Sequence, residues 1–111
     1  MNGEQIVERY EVFLTPTAQA LAVAAAEYIA ENSPRSAIKW YAGLERTIER
    51  LSVFPHRCAI APESQLFGQE LRHALYKSHR IIFRIEEPAK IVRVLYVRHG
   101  AMLPVGQAFE T

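Results

Sequence analysis

Apolar and polar positions follow a strand period, then a helix period twice, then no period, then a strand period again. Tyr10–Leu14 predicts a short strand, with Val12 and Leu14 on one face and bulky β-favouring rings at Tyr10 and Phe13. Thr15-Pro16 then reads as an N-cap followed by the first helical position, where proline gives up an N–H that no helix pairs. The Ala-rich run behind it favours helix strongly and puts Leu21, Ala25, Tyr28 and Ile29 on one face. Ser33-Pro34 repeats the start signal, and Ala37, Tyr41, Leu44, Ile48 and Leu51 form the apolar stripe of a second helix that ends at Pro55. Lys39, Arg46, Glu49 and Arg50 lie off that stripe, as a solvated face of mixed sign does. Two helices joined by so short a capped turn predict an antiparallel hairpin.

The stretch 55–69 has Pro, Gly and Ser but no period, so a long loop is expected there, of the kind that serves function or partner contact. Three strands follow, Leu71–Tyr76, His79–Glu86 and Lys90–Val97, turned at Lys77-Ser78 and at Glu87-Pro88-Ala89. The order predicts an α+β fold: an N-terminal strand, an antiparallel helical hairpin, then a three-stranded antiparallel meander in one sheet. The expectation is one domain over residues 1–111, with flexible ends at about 1–8 and 102–111.

Side chains alternate along a strand. Ile81, Phe83 and Ile85 therefore face the helices, opposite Arg80, Ile82 and Arg84. In the last strand Val92, Val94 and Tyr96 oppose Arg93, Leu95, Val97 and His99; in the first, Leu71 and Leu75 oppose Arg72, Ala74 and Tyr76. The assembly expected is an open sheet face lined by Arg72, Arg80, Arg84 and Arg93, with Tyr76 and His99 near its ends. Guanidinium forks suit phosphate, and interleaved rings suit bases. The plainer reading is that any solvated sheet face needs polar side chains.

Charge sharpens the picture. Residues 71–111 carry seven Lys or Arg against three Glu, while residues 1–70 carry six against nine, a split hidden in the net +1. A cationic meander on a mildly acidic helical half points to a polyanion or an acidic partner. No apolar run reaches the ~20 residues that span a bilayer, and the polar, acidic start is unlike a signal peptide. A lone Cys58 without a Cys-x-x-Cys or His-x-x-His neighbour predicts a small buried side chain rather than a metal ligand or nucleophile, and a reducing cytoplasm as the location. Neither a metal nor an organic cofactor is expected, nor a small-molecule substrate. His56 reads as exposed, His73 as a core or edge residue, and His79 and Trp40 as pairing and packing residues.

From Tyr10 to about Ala101 the chain resembles the RelE/ParE superfamily of toxins of bacterial type II toxin–antitoxin modules. The resemblance is carried by YEVFLTPTAQ, by the second helix ending in LSVFP, by Leu71-Arg72, by His79-Arg80-Ile81-Ile82-Phe83-Arg84 and by Val94-Leu95-Tyr96-Val97-Arg98-His99-Gly100. It implies a growth inhibitor of the plasmid-stabilisation kind, neutralised by a cognate antitoxin. RelE-like members cleave mRNA on the ribosome without a metal. That reading makes Arg80, Arg98 and His99 catalytic, with Arg72, Lys77, Arg84 and Arg93 contacting phosphate or target. ParE-like members poison DNA gyrase and are not enzymes. The ParE-like reading is favoured, because the lysine-rich segment and the closing tyrosine of a full nuclease are missing. A non-toxic nucleic-acid-binding domain is the third alternative.

Overall fold

The computed structural model describes residues 7–100. Its elements are β1 (Glu11–Leu14), α1 (Pro16–Ala30), α2 (Pro34–Glu49), β2 (Ala59–Ile60), α3 (Glu63–Phe67), β3 (Arg72–Tyr76), β4 (His79–Glu86) and β5 (Ile91–His99). The sheet runs β1-β5-β4-β3-β2, with β1 parallel to β5 and every other pair antiparallel. The predicted α+β order holds. The stretch 55–69 does not stay irregular: it adds the outer strand β2 and the short helix α3. The expected flexible ends lie almost wholly outside the described residues.

Both helix starts use the expected caps. The Thr15 and Ser33 side chains accept from the backbone N–H of Ala18 and Ser36, and a proline follows each. The hairpin packs on one sheet face around Trp40, Leu44, Ile48, Leu51, Ile81, Phe83, Val92, Val94 and Val97, all buried. In α1 small side chains make the contact, Ala18 and Ala22, while Tyr28 stands 72% exposed rather than on the buried face. Alanines let the helix sit close, and the ring one turn further round has nothing to pack on. Gly43 serves the same closeness in α2: a Cβ there would collide with the Tyr76 hydroxyl, which donates to the Trp40 carbonyl at 2.8 Å.

The second sheet face is not open either. Ala61, Leu71 and Ile82 form a second buried cluster under the β2–α3 segment, with Leu95 and Tyr96 against it. Ser64 pins that segment by accepting from Leu71 N and donating to Leu71 O, both at 2.8 Å.

Period two holds along β4 but breaks in β5. Ile82 pairs with Tyr96 and Phe83 with Val94, which leaves Leu95 without a partner in β4. This bulge re-phases the end of the strand. Val97 and His99 turn to the helix side, and Tyr96 and Arg98 to the other, the reverse of strict alternation. The start of α1 rests on the bulge: Thr15 donates through its hydroxyl to Leu95 O at 3.3 Å and through its amide to Val94 O at 3.0 Å.

Candidate target-binding face

Arg80 sits at the centre of the face turned away from the helical hairpin, yet it is buried. Glu63, the first residue of α3, is fully buried over it. Its carboxylate takes the guanidinium in a two-pronged grip, Nη1 to Oε1 at 3.1 Å and Nη2 to Oε2 at 2.5 Å. Planar fork on planar carboxylate is the geometry in which arginine pairs most strongly. The guanidinium also lies 3.0 Å from His73 Nδ1. Guanidinium nitrogens only donate, so Nδ1 accepts and the ring is neutral, its pKa lowered by burial and then by the Arg80 charge. Arg80 was expected on an open face; α3 covers it.

Arg84 and Arg93 lie side by side on the same face, paired across β4 and β5, and Glu86 binds both. Its Oε2 is 2.8 Å from Arg84 Nε and 2.7 Å from Arg93 Nε, and Oε1 is 3.1 Å from Arg93 Nη2. The two arginines, Arg93 first, hold the Glu86 carboxyl down to about 2. Phe13 of β1 lies under the Arg93 guanidinium, 5.9 Å from ring centroid to Cζ. Within the strands, then, a carboxylate does offset the arginine charge. A shallow groove of about 250 Å³ beside Arg84, lined by Thr15, Thr17, Phe67 and Tyr96, is the concave part of this face.

The remaining expected site residues are elsewhere. Arg72 pairs across from Phe83 and so points to the helix side. There it donates to the carbonyls of His56 and Cys58 at 3.0 and 2.6 Å and bridges to Glu70, holding the chain before β2 in place. Lys77 is exposed in the β3–β4 turn, over the Tyr76 ring. Arg98 pairs with Arg80 and shares its face, but His99 pairs with His79 on the opposite one. The His79 ring is edge-on to both His99 and Trp40, and its pKa is lowered by burial and by His99. The structure thus brings Arg80 to Arg98 and Arg84 to Arg93, and separates His99 and Arg72 from both. Cys58 is half-buried, and burial pushes its thiol pKa up, away from a reactive thiolate.

The profile of the ParE toxin of type II toxin–antitoxin systems, parDE, matches residues 12–104. The chain belongs to the ParE toxin family. Two solved structures are similar in fold. One, the chromosomal ParDE toxin–antitoxin system of P. aeruginosa, has a TM-score of 0.66 at 17% identity and covers 83% of this chain and 97% of that one. The other, the RelBE2 toxin–antitoxin complex of Mycobacterium tuberculosis, has a TM-score of 0.57 at 24% identity and covers 86% and 95%. No curated protein matches the sequence significantly. This ParE-family toxin has no described helix long and apolar enough to cross a membrane.

Two residues that govern the face were not foreseen, Glu63 and Glu86. Glu86 carried a readable signal, since it shares the phase of Arg84 at the end of the same strand. Glu63 carried none, because a glutamate in an aperiodic stretch is rarely buried.

Proposed function

We propose that this ParE-family toxin arrests growth by a ParE-like action on DNA gyrase, without cutting RNA, and that a cognate antitoxin neutralises it. One observation carries the reading: the residues a RelE-like nuclease would need do not converge. Arg80 is gripped by Glu63 beneath α3, and His99 lies on the opposite side of the sheet from Arg80 and Arg98. General acid–base work needs its donor within hydrogen-bond reach of the reacting phosphate, beside the cation that stabilises it. The family match supports the same direction.

The antitoxin finds its seat on the helical hairpin. Val23 and Ile38 stand exposed there beside a groove of about 560 Å³ between α1 and α2, floored by Ala26, Ala37 and Ala42. An amphipathic segment lays its apolar side into such a groove. The test is direct. The purified chain is added to gyrase with relaxed plasmid, and separately to a translating extract with a labelled transcript. The expected result is lost supercoiling or trapped linear plasmid, with the transcript intact. Cut transcripts with unaffected gyrase overturn the proposal, as does gyrase that works normally at a molar excess of the chain.

A further inference from the structure

On the sheet, Arg72, Arg80, Arg84 and Arg93 each hold a carboxylate, whereas a row of cations without ion pairs to described residues stands on the other side of the molecule. Lys39 and Arg46 of α2 and Arg50, which caps its end, follow one another at seven and four residues, which places them on a single helical row. All three are exposed. The β3–β4 turn brings Lys77 against the same row, so the four close a groove of about 440 Å³ over Ala42, Gly43 and Thr47. No carboxylate lines that groove, and none of the four forms an ion pair with a described residue. Beyond Arg50 the row continues to Arg9, past Glu49 on the rim.

We infer that this row is a binding site for the phosphate backbone of duplex DNA, read without regard to sequence. Three observations fit that occupant. From Lys39 to Arg50 the helix rises about 16 Å at 1.5 Å per residue, a reach that spans several phosphates at about 3.4 Å of axis each. The cations stand on a rigid helix, matched to a rigid polyanion. The floor is Ala42, Gly43 and Thr47, and the Tyr76 ring at its edge packs against Trp40 at 5.8 Å and lies under Lys77 Nζ at 5.9 Å, so no ring stands clear for the base stacking that single strands require. An acidic protein segment would want apolar anchors beside the cations. On α2 those anchors, Ile38 among them, lie in the other groove, around the helix.

The experiment is fluorescence anisotropy of a labelled 20-base-pair duplex of arbitrary sequence, titrated with the full chain over a range of salt. Each phosphate contact contributes about 0.9 to the slope of log affinity against log salt. The expected slope is about −3.6 for the four cations, falling to about −0.9 in the Lys39→Gln/Arg46→Gln/Arg50→Gln variant. Arg84→Gln/Arg93→Gln, on the sheet face, is expected to leave the slope unchanged. Circular dichroism confirms that each variant is folded, and single replacements, each expected to drop the slope by about 0.9, stand in if the triple variant is not. An unchanged slope in the α2 variants overturns the proposal. So does an equal loss in the sheet-face variant, tighter binding to the single strand, or displacement of the duplex by polyglutamate at matched charge.

Discussion

Replacing Arg80 by methionine leaves the Glu63 carboxylate fully buried with its two-pronged partner gone. Removing one member of a buried ion pair costs about 3–5 kcal/mol, because the surviving charge stays out of water with that counter-ion gone. A domain of this size has a total stability of about 5–15 kcal/mol. The loss therefore corresponds to roughly 12–20 °C in Tm, at about 4 °C per kcal/mol. Glu63→Leu is expected to act similarly through the stranded guanidinium, somewhat less because Arg80 keeps 8% of its surface exposed. The double variant Glu63→Leu/Arg80→Met is expected to return to within about 1 kcal/mol of the parent or above it, since an apolar pair of similar volume needs no desolvation. Urea unfolding followed by the fluorescence of Trp40, the only tryptophan and buried in the main core, reads all four chains. If Arg80→Met loses under about 1 kcal/mol, or if the double variant loses the sum of the singles, the pair is not the sealed lock described. The cycle also bears on function. A double variant that regains stability and still inhibits growth cannot depend on Arg80 to hold a scissile phosphate.

Three further outcomes are expected. Glu86 titrates near 2 in the folded chain against an ordinary 4.5, so its stabilising effect is present above 4.5 and is lost as pH falls toward 2. Denaturation midpoints measured across that window should fall less steeply in Glu86→Gln, and parallel curves would count against the Arg84–Glu86–Arg93 network. Gly43→Ala forces a Cβ onto the Tyr76 hydroxyl and should destabilise by about 1–3 kcal/mol; combined with Tyr76→Phe it should cost less than the two changes added, and calorimetric Tm values that simply add would contradict this. Lys77 holds a left-handed backbone with φ 52 in the β3–β4 turn, so Lys77→Gly should raise stability by about 1 kcal/mol. A lower denaturation midpoint in that variant would show that the lysine's own contacts outweigh its backbone strain.

Much of the fold was legible because its signals are local. The two Ser/Thr-Pro caps, the apolar stripe of α2 and the unbroken alternation of β4 each declare an element within a few residues. The outer strand and α3 were not legible for the opposite reason. Ala59–Ile60 and Glu63–Phe67 are too short to show a period, and they exist because Ile82 and Leu71 offer an apolar patch to cover. The site was legible in composition and not in geometry. Arg80, Arg84 and Arg93 do share a face, as their phase predicts, but burial under Glu63 and neutralisation by Glu86 are tertiary facts. Arg72 was misplaced because its phase matches Ala74 and Tyr76 on the helix side, and its charge alone argued for the outer one. The row Lys39, Arg46, Arg50 was visible at helical spacing throughout, and only the fold revealed that Lys77 closes it.

The bulge at Leu95 makes the end of β5 a hinge in sequence space. Pairing Leu95 with Ile82 instead, a one-residue slip with no change of sequence, would restore plain alternation and swap the sides on which Tyr96, Val97, Arg98 and His99 project. A histidine at an aligned position could then face Arg80 in one relative and Trp40 in another, with every neighbouring letter unchanged. On such a strand, gain or loss of a catalytic set needs no replacement of a catalytic residue. The presence or absence of one bulge is enough, and comparisons that score only which residues match will pass over it.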